Sequence, residues 1–286
     1  MARILIPLPQ RDFDPTEAAV PWRVLSRAGH EITFATPDGR QAAADPVMVT
    51  GVGLDPWGFL PMVRGLVLFG RILRADPRGR AAYAEMIASP AFREPMTWDA
   101  IDPDAFDGLV LPGGHRARGM REFLESKVLQ RVAAAFFRAQ KPVGAICHGV
   151  VLLARSIDEA TGRSVLWGRR TTALTWRLER SGNALGNALR FWDRDYYRTY
   201  REAAGEPPGF MSVEQEVTRA LKAPSDFLDA DAHTPEGKRK LSGLARDSES
   251  DASPAFVVQD GAYVSARWPG DAHTFANTFA ALFKSG

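Results

Sequence analysis

The chain has 286 residues, 45% hydrophobic and 24% charged, which is enough apolar material for one large core and excludes wholesale disorder. Lys and Arg number 36 against 34 Asp and Glu, a formal charge of +2 that excludes the basic excess of a nucleic-acid binder or of a protein drawn to an acidic membrane face. A single cysteine excludes an internal disulfide and a thiolate-rich zinc site, and it points to a reducing compartment, the cytoplasm.

In chain order, RILIPL (3–8) reads as a short strand, PTEAAVPWRVLSRAG (15–29) as a helix stopped by Gly29, and EITFATP (31–37) as a second strand. This is a βαβ opening. The first residues, MARILIPLPQRDFDP, turn polar too early for a secretory signal, and no run approaches the roughly 18 apolar residues of a membrane span. Residues 51–100 carry apolar and aromatic side chains at helical spacing broken by Pro and Gly, and are expected to form a helical cap inserted over the sheet edge. FDGLVLPGG (106–114) is the next strand, followed by a helix over about 117–139, a strand at PVGAI (142–146), a helix over about 149–156 and a strand at TTALTW (171–176). A second insertion covers 191–250. It begins with an aromatic-basic stretch, RDYYRTYREAAG (194–205), at helical spacing, and ends in HTPEGKRKLSGLARDSESDASP, whose composition predicts a mobile surface loop. AFVVQDGAYVSARWPG (255–270) reads as a hairpin turning at QDG, and a last helix over about 271–284 closes a single domain spanning 1–286. Strands alternating with helices at this spacing predict an α/β fold, a doubly wound parallel sheet that binds ligands beyond the carboxyl ends of its strands.

Two such ends carry chemistry. In KPVGAICHGVV a strand ends at Cys147 and turns at once into a helix through Gly149, a nucleophile elbow that places the sulfur at a helix N-terminus and predicts a low thiol pKa. The alternative is a buried core cysteine. In PGGHRARG the amides of Gly113 and Gly114 are placed to bind a developing oxyanion together with that of His148, while a phosphate loop or a plain tight turn are the competing readings. Glu17 is the lone acid of an otherwise apolar first helix, either a protonated partner for the thiol or an ordinary first-turn acid. His148 is the available base. Glu179 is the first candidate for the acid that orients it and Asp193 the second, although either reads equally as a solvated helix charge. His115 is placed to orient a substrate at the pocket mouth, or is a loop-surface histidine. Arg198 in the aromatic-basic stretch is placed either to bind a substrate carboxylate or phosphate, or to pack. The 5 histidines are scattered without ligand spacing, so no metal is expected.

LPGGH, AICHG, Glu17 after the first strand and the closing VSARWPGDA together resemble the ThiJ/PfpI superfamily, over residues 1–50, 101–176 and 255–286. The resemblance implies a flavodoxin-like fold of the class I glutamine amidotransferase type. It further implies that Cys147 is the reactive thiol, Glu17 the protonated acid touching it, and Gly113, Gly114 and His148 the oxyanion pocket. Members are described as glyoxalase III enzymes, deglycases, intracellular peptidases or amidases, and holdase chaperones, several of them linked to stress. DAHTFAN places Phe275 where a glutamine amidotransferase carries the acid of H-x-E, which argues against glutamine hydrolysis. The leading expectation is a cofactor-independent enzyme taking a small carbonyl compound such as methylglyoxal to a hydroxyacid. The alternatives are a Cys-His peptidase or amidase, and a holdase or thiol sensor. Neither nucleic acid nor membrane is expected as a partner, and a homodimer stays open.

Overall fold

GLVL and VGAI, the two central strand sequences, are apolar or glycine at every position and buried at every position, the mark of parallel strands covered on both faces. They are β4 (Gly108–Leu111) and β5 (Val143–Ile146) of a seven-stranded sheet in the computed structural model, which describes residues 1–283. The others are β1 (Arg3–Pro7), β2 (Glu31–Thr36), β3 (Met96–Thr97), β6 (Val257–Asp260) and β7 (Tyr263–Ala266). Their spatial order is β6-β7-β5-β4-β1-β2-β3. Every neighbouring pair is parallel except the β6–β7 hairpin. Its turn passes through Gly261 at φ +62°, as the QDG motif predicts.

Side chains alternate across this sheet. Leu5, Leu109, Leu111, Val143 and Ala145 join one core, with helices Ala117–Glu125, Lys127–Arg138 and Gly149–Arg155. Ile4, Ile6, Phe34, Val110 and Ile146 join the other, with helices Pro15–Arg27, Pro77–Ala88 and Ala272–Ala281. The sheet is doubly wound and flavodoxin-like. The last predicted residue of the closing helix, 284, lies outside the described residues.

Four expectations are corrected. The helix over 117–139 breaks at Ser126, whose hydroxyl accepts from the Leu129 N–H and so starts a second helix. TTALTW forms no strand: Thr171 makes a single bridge to Phe227, its hydroxyl bonds those of Tyr263 and Ser265, and Thr175 caps helix Trp176–Leu189. RDYYRTYREAAG is not helical. Its tyrosines are claimed by tertiary contacts instead: Tyr196 donates to Asp45 and meets the His115 ring edge-on, and Tyr197 stacks on the same ring. The polar run after 232 is not a bare loop either, since it holds helix Pro235–Lys240 and buries Leu241, Asp247 and Ser248.

Residues 51–100 divide in two. Turns fill 52–68, gathered by the Asp55 carboxylate, which accepts from the N–H groups of Leu68, Phe69 and Gly70. Helix Pro77–Ala88 and strand β3 belong to the sheet and its cover.

Candidate active site

The elbow is built by exclusion. Between β5 and helix Gly149–Arg155, Cys147 takes φ +57°, a left-handed conformation that costs a residue with a side chain on the order of 1–2 kcal/mol. The turn is held by the Cys147 N–H donating to Ala266 O at 3.0 Å. A Cβ at position 149 would lie 2.1 Å from Leu111 O, so only glycine lets the turn close against the end of β4. Cys147 is 5% exposed.

Glu17 arrives from helix Pro15–Arg27. Asp14 caps that helix, accepting from the N–H groups of Thr16 at 2.8 Å and Glu17 at 3.1 Å, and Pro15 starts it. Glu17 is wholly buried. Its Oε2 accepts from the Gly113 N–H at 2.8 Å, Oε1 is buried without a hydrogen-bond partner, and the carboxyl interacts with the Cys147 side chain. Burial, and then the charge of Asp14, push the Glu17 pKa well up, favouring the protonated carboxyl.

The thiol corrects the sequence reading. Burial pushes the Cys147 pKa well above its ordinary value, and a charged Glu17 would push it further; the His148 N–H that donates toward the sulfur works against both. Desolvation therefore outweighs the helix terminus. His148 follows the same rule. Its Nδ1 lies 3.5 Å from Sγ, and burial, then the charges of His115, Arg198 and Arg155, lower its pKa to about 3. The imidazole is neutral and can accept the thiol proton. Burial thus biases all three groups toward their uncharged forms.

Other predicted residues fall as follows. Gly113 is required, since a Cβ there would lie 2.7 Å from the His148 nitrogen, but its N–H is committed to Glu17. Gly114 lines the cavity described below. His115 does so too, stacked at 4.4 Å on Tyr197 with Nε2 3.6 Å from Asp45, and burial lowers its pKa. Glu179 lines the cavity but is not bonded to His148. It accepts from the Val213 N–H at 3.0 Å and pairs with Arg198 at 3.3 Å, and burial raises its pKa to about 7. Asp193 is held by Arg190 and Arg116. Arg198 is absent from the cavity wall: its guanidinium bonds Glu202 at 2.7 Å and lies 5.2 Å over the Trp176 ring.

The cavity above Cys147 has a volume of about 280 Å³. Glu17, Cys147, Asp14 and Gly114 form its floor; Met48, Leu174, Leu178 and Leu244 supply apolar walls. Tyr197 of the aromatic-basic stretch lines it too, and sequence reasoning missed Asp14, Trp268 and Arg246, which also line it. Asp14 was signalled, because an Asp followed three residues later by Glu is a helix-start pattern. Trp268 sits in the quoted VSARWPGDA run. There Arg267, wholly buried, bonds Asp271 through Nε at 3.0 Å and Nη2 at 2.9 Å, a clasp that fixes Trp268 and Pro269 over the cavity. His273, from the late DAHTFAN run, is not on the cavity wall. Among the described residues no cluster of three or more His, Cys, Asp or Glu could hold a metal ion, and no helix is long and apolar enough to cross a membrane.

A flavodoxin-like sheet with a cysteine at its strand-to-helix elbow defines a class of proteins, and comparison with known sequences narrows it. A profile described as ThiJ/PfpI family-like matches residues 8–206, and the chain belongs to this family. Deglycase PfpI of Pyrococcus furiosus is 38% identical over 78 residues, 27% of this chain and 41% of that protein. Protein DJ-1 homolog D of Arabidopsis thaliana is 39% identical over 67 residues, 23% of this chain and 16% of that protein. These matches span less than half the length of the curated relatives. Among solved structures, glyoxalase III from Candida albicans superposes with a TM-score of 0.60 at 18% identity, covering 98% of this chain and 96% of its own. The 24 kDa rapid encystment protein of Francisella tularensis gives 0.61 at 14%, covering 98% of each chain. At these identities the likeness establishes the fold.

Proposed function

We propose that the protein is a cysteine-dependent enzyme that converts α-oxoaldehydes to 2-hydroxyacids without a cofactor, in a reducing cytoplasm. The observation that carries this reading is a thiol and a carboxyl that favours its protonated form at the cavity floor, with a neutral imidazole nitrogen 3.5 Å from the sulfur. The glyoxalase III and deglycase names of structural and sequence relatives support it.

Each group has a step. The Cys147 sulfur bonds the aldehyde carbon, its proton passing to His148 Nδ1, while Glu17 protonates the carbonyl oxygen to give a hemithioacetal. The Glu17 carboxylate then removes the hydrogen on that carbon as a proton, and His148 protonates the neighbouring oxygen to give an enediol. Glu17 returns its proton to the second carbon as His148 takes one from the first hydroxyl, leaving a thioester. Water attacks the thioester, giving its proton to Glu17, and His148 protonates the departing sulfur. Thiol, carboxylic acid and imidazole are restored.

The peptidase or amidase reading is weaker, because neither Glu179 nor Asp193 orients His148. A client-binding role has one observation in its favour: Phe59, Leu60, Met62, Leu66, Leu68, Phe69 and Ile72 are all at least 44% exposed. The deciding experiment incubates the protein and Cys147→Ala with methylglyoxal and phenylglyoxal, with an amino-acid amide, and with an unfolding client. Hydroxyacid formed by the parent and lost in Cys147→Ala supports the enzyme. Client protection that survives the substitution, with no hydroxyacid, overturns it.

A further inference from the structure

Most buried or half-buried arginines around the site come with acids. Arg198 has Glu179 and Glu202, Arg190 and Arg116 have Asp193, Arg118 has Asp12, and Arg267 has Asp271. Arg246 does not. It is half-buried on the wall of the Cys147 cavity, its guanidinium 5.0 Å over the Trp268 ring, and among the described residues it makes no hydrogen bond or ion pair. Asp14 feels its charge, but the Asp14 Oδ1 is already taken by two helix N–H groups. Stacking on Trp268 holds the planar fork in place with its donors unspent, which is how a protein stores a site for a carboxylate or phosphate.

The rest of the cavity says what else the ligand carries. Leu174, Leu178, Leu185, Leu241 and Leu244 lie along its walls. Its volume of about 280 Å³ matches about nine waters at roughly 30 Å³ each, more than a three-carbon oxoaldehyde fills. Arg177, exposed at the wall, adds a second positive charge.

We infer that the ligand of this cavity combines a carbonyl group for Cys147 with an apolar body and an anionic end, a carboxylate or phosphate, that Arg246 binds. This inference deepens the proposed function and rests on it for the carbonyl; the anion site stands on Arg246 alone.

The test separates the two by measuring binding without turnover. Calorimetry compares 4-phenylbutyrate, its neutral amide and phenylethyl phosphate on the full chain, on Arg246→Gln, on Arg246→Lys and on Cys147→Ala. The acid or the phosphate should bind at least tenfold tighter than the amide, and whichever of the two binds tighter identifies the anion. Arg246→Gln should erase the preference, Arg246→Lys should restore part of it, and Cys147→Ala should keep it. Equal binding of all three ligands, binding of none, or a preference that survives Arg246→Gln overturns the inference. A preference present in a protein that converts no oxoaldehyde keeps the anion site and defeats the glyoxalase reading.

Discussion

The strand-end half of the site and the inserted half handle charge in opposite ways. At the strand ends, Glu17, Cys147 and His148 are buried until each prefers its neutral form. In the other half, drawn largely from the inserted segment, charges are kept and paired, as Arg198 with Glu202 and Arg190 with Asp193, or left facing the cavity, as Arg246. Burial stores protons where bonds would be made, and charge is kept where a ligand would be gripped. The first arrangement needs tight backbone; the second tolerates loops.

Breaking the tight half should cost most. Gly149→Ala sets a methyl group 2.1 Å from Leu111 O, and should lower stability by about 3 kcal/mol or more, a melting temperature drop of roughly 6 °C or more in thermal unfolding. An unchanged melting temperature would mean that the elbow is looser than described.

Glu17→Gln keeps the acceptor for Gly113 N–H but cannot exchange a proton. Oxoaldehyde turnover should fall about 100-fold, with stability within about 1 kcal/mol of the parent. Full turnover in the variant would reduce Glu17 to a structural residue.

Glu179, in helix Trp176–Leu189 on the same side of the cavity, makes a prediction in pH. Burial raises the Glu179 pKa from 4.5 to about 7, so the folded state binds this proton more tightly than the unfolded state. Its contribution is fully present below pH 4.5 and is lost as pH rises to about 7, up to about 3 kcal/mol in all. Glu179→Gln removes that loss. Chemical denaturation across this range should therefore show the variant gaining on the parent as pH rises, and levelling off above 7. A constant difference would show that Arg198 already holds Glu179 charged.

The smallest effect is expected at the cavity mouth. Leu244 is 82% exposed, so Leu244→Ala should shift stability by less than about 0.5 kcal/mol while raising the Michaelis constant of an aldehyde with an apolar tail several-fold. A fall in stability with unaltered kinetics would assign Leu244 to packing.

The same division explains what the sequence reveals. AICHG is legible because an elbow needs a strand, one reactive residue and a glycine in immediate succession, and all three constraints are local. Glu17 is legible because Asp14-Pro15 marks where its helix begins. Arg246 is not, since nothing periodic places residues 241–246 against Cys147; the Arg267–Asp271 clasp and the path of the chain do that. The helix expected over 194–205 fails for a related reason, as Tyr196 and Tyr197 are held by Asp45 and His115, far away in sequence. The thiol reading fails because the helix N-terminus is visible in sequence and the depth of burial is not.

That correction is also the most direct route to the central claim, that the resting site is neutral. Because Cys147 is the only cysteine of the chain, iodoacetamide alkylation followed by intact-mass measurement reports on it alone. Between pH 5 and 10 the rate should stay far below that of a free thiol at pH 7 and rise only above the ordinary thiol range near 9. Rapid alkylation at pH 7, with an inflection below it, would contradict the claim and return the sulfur to a resting thiolate.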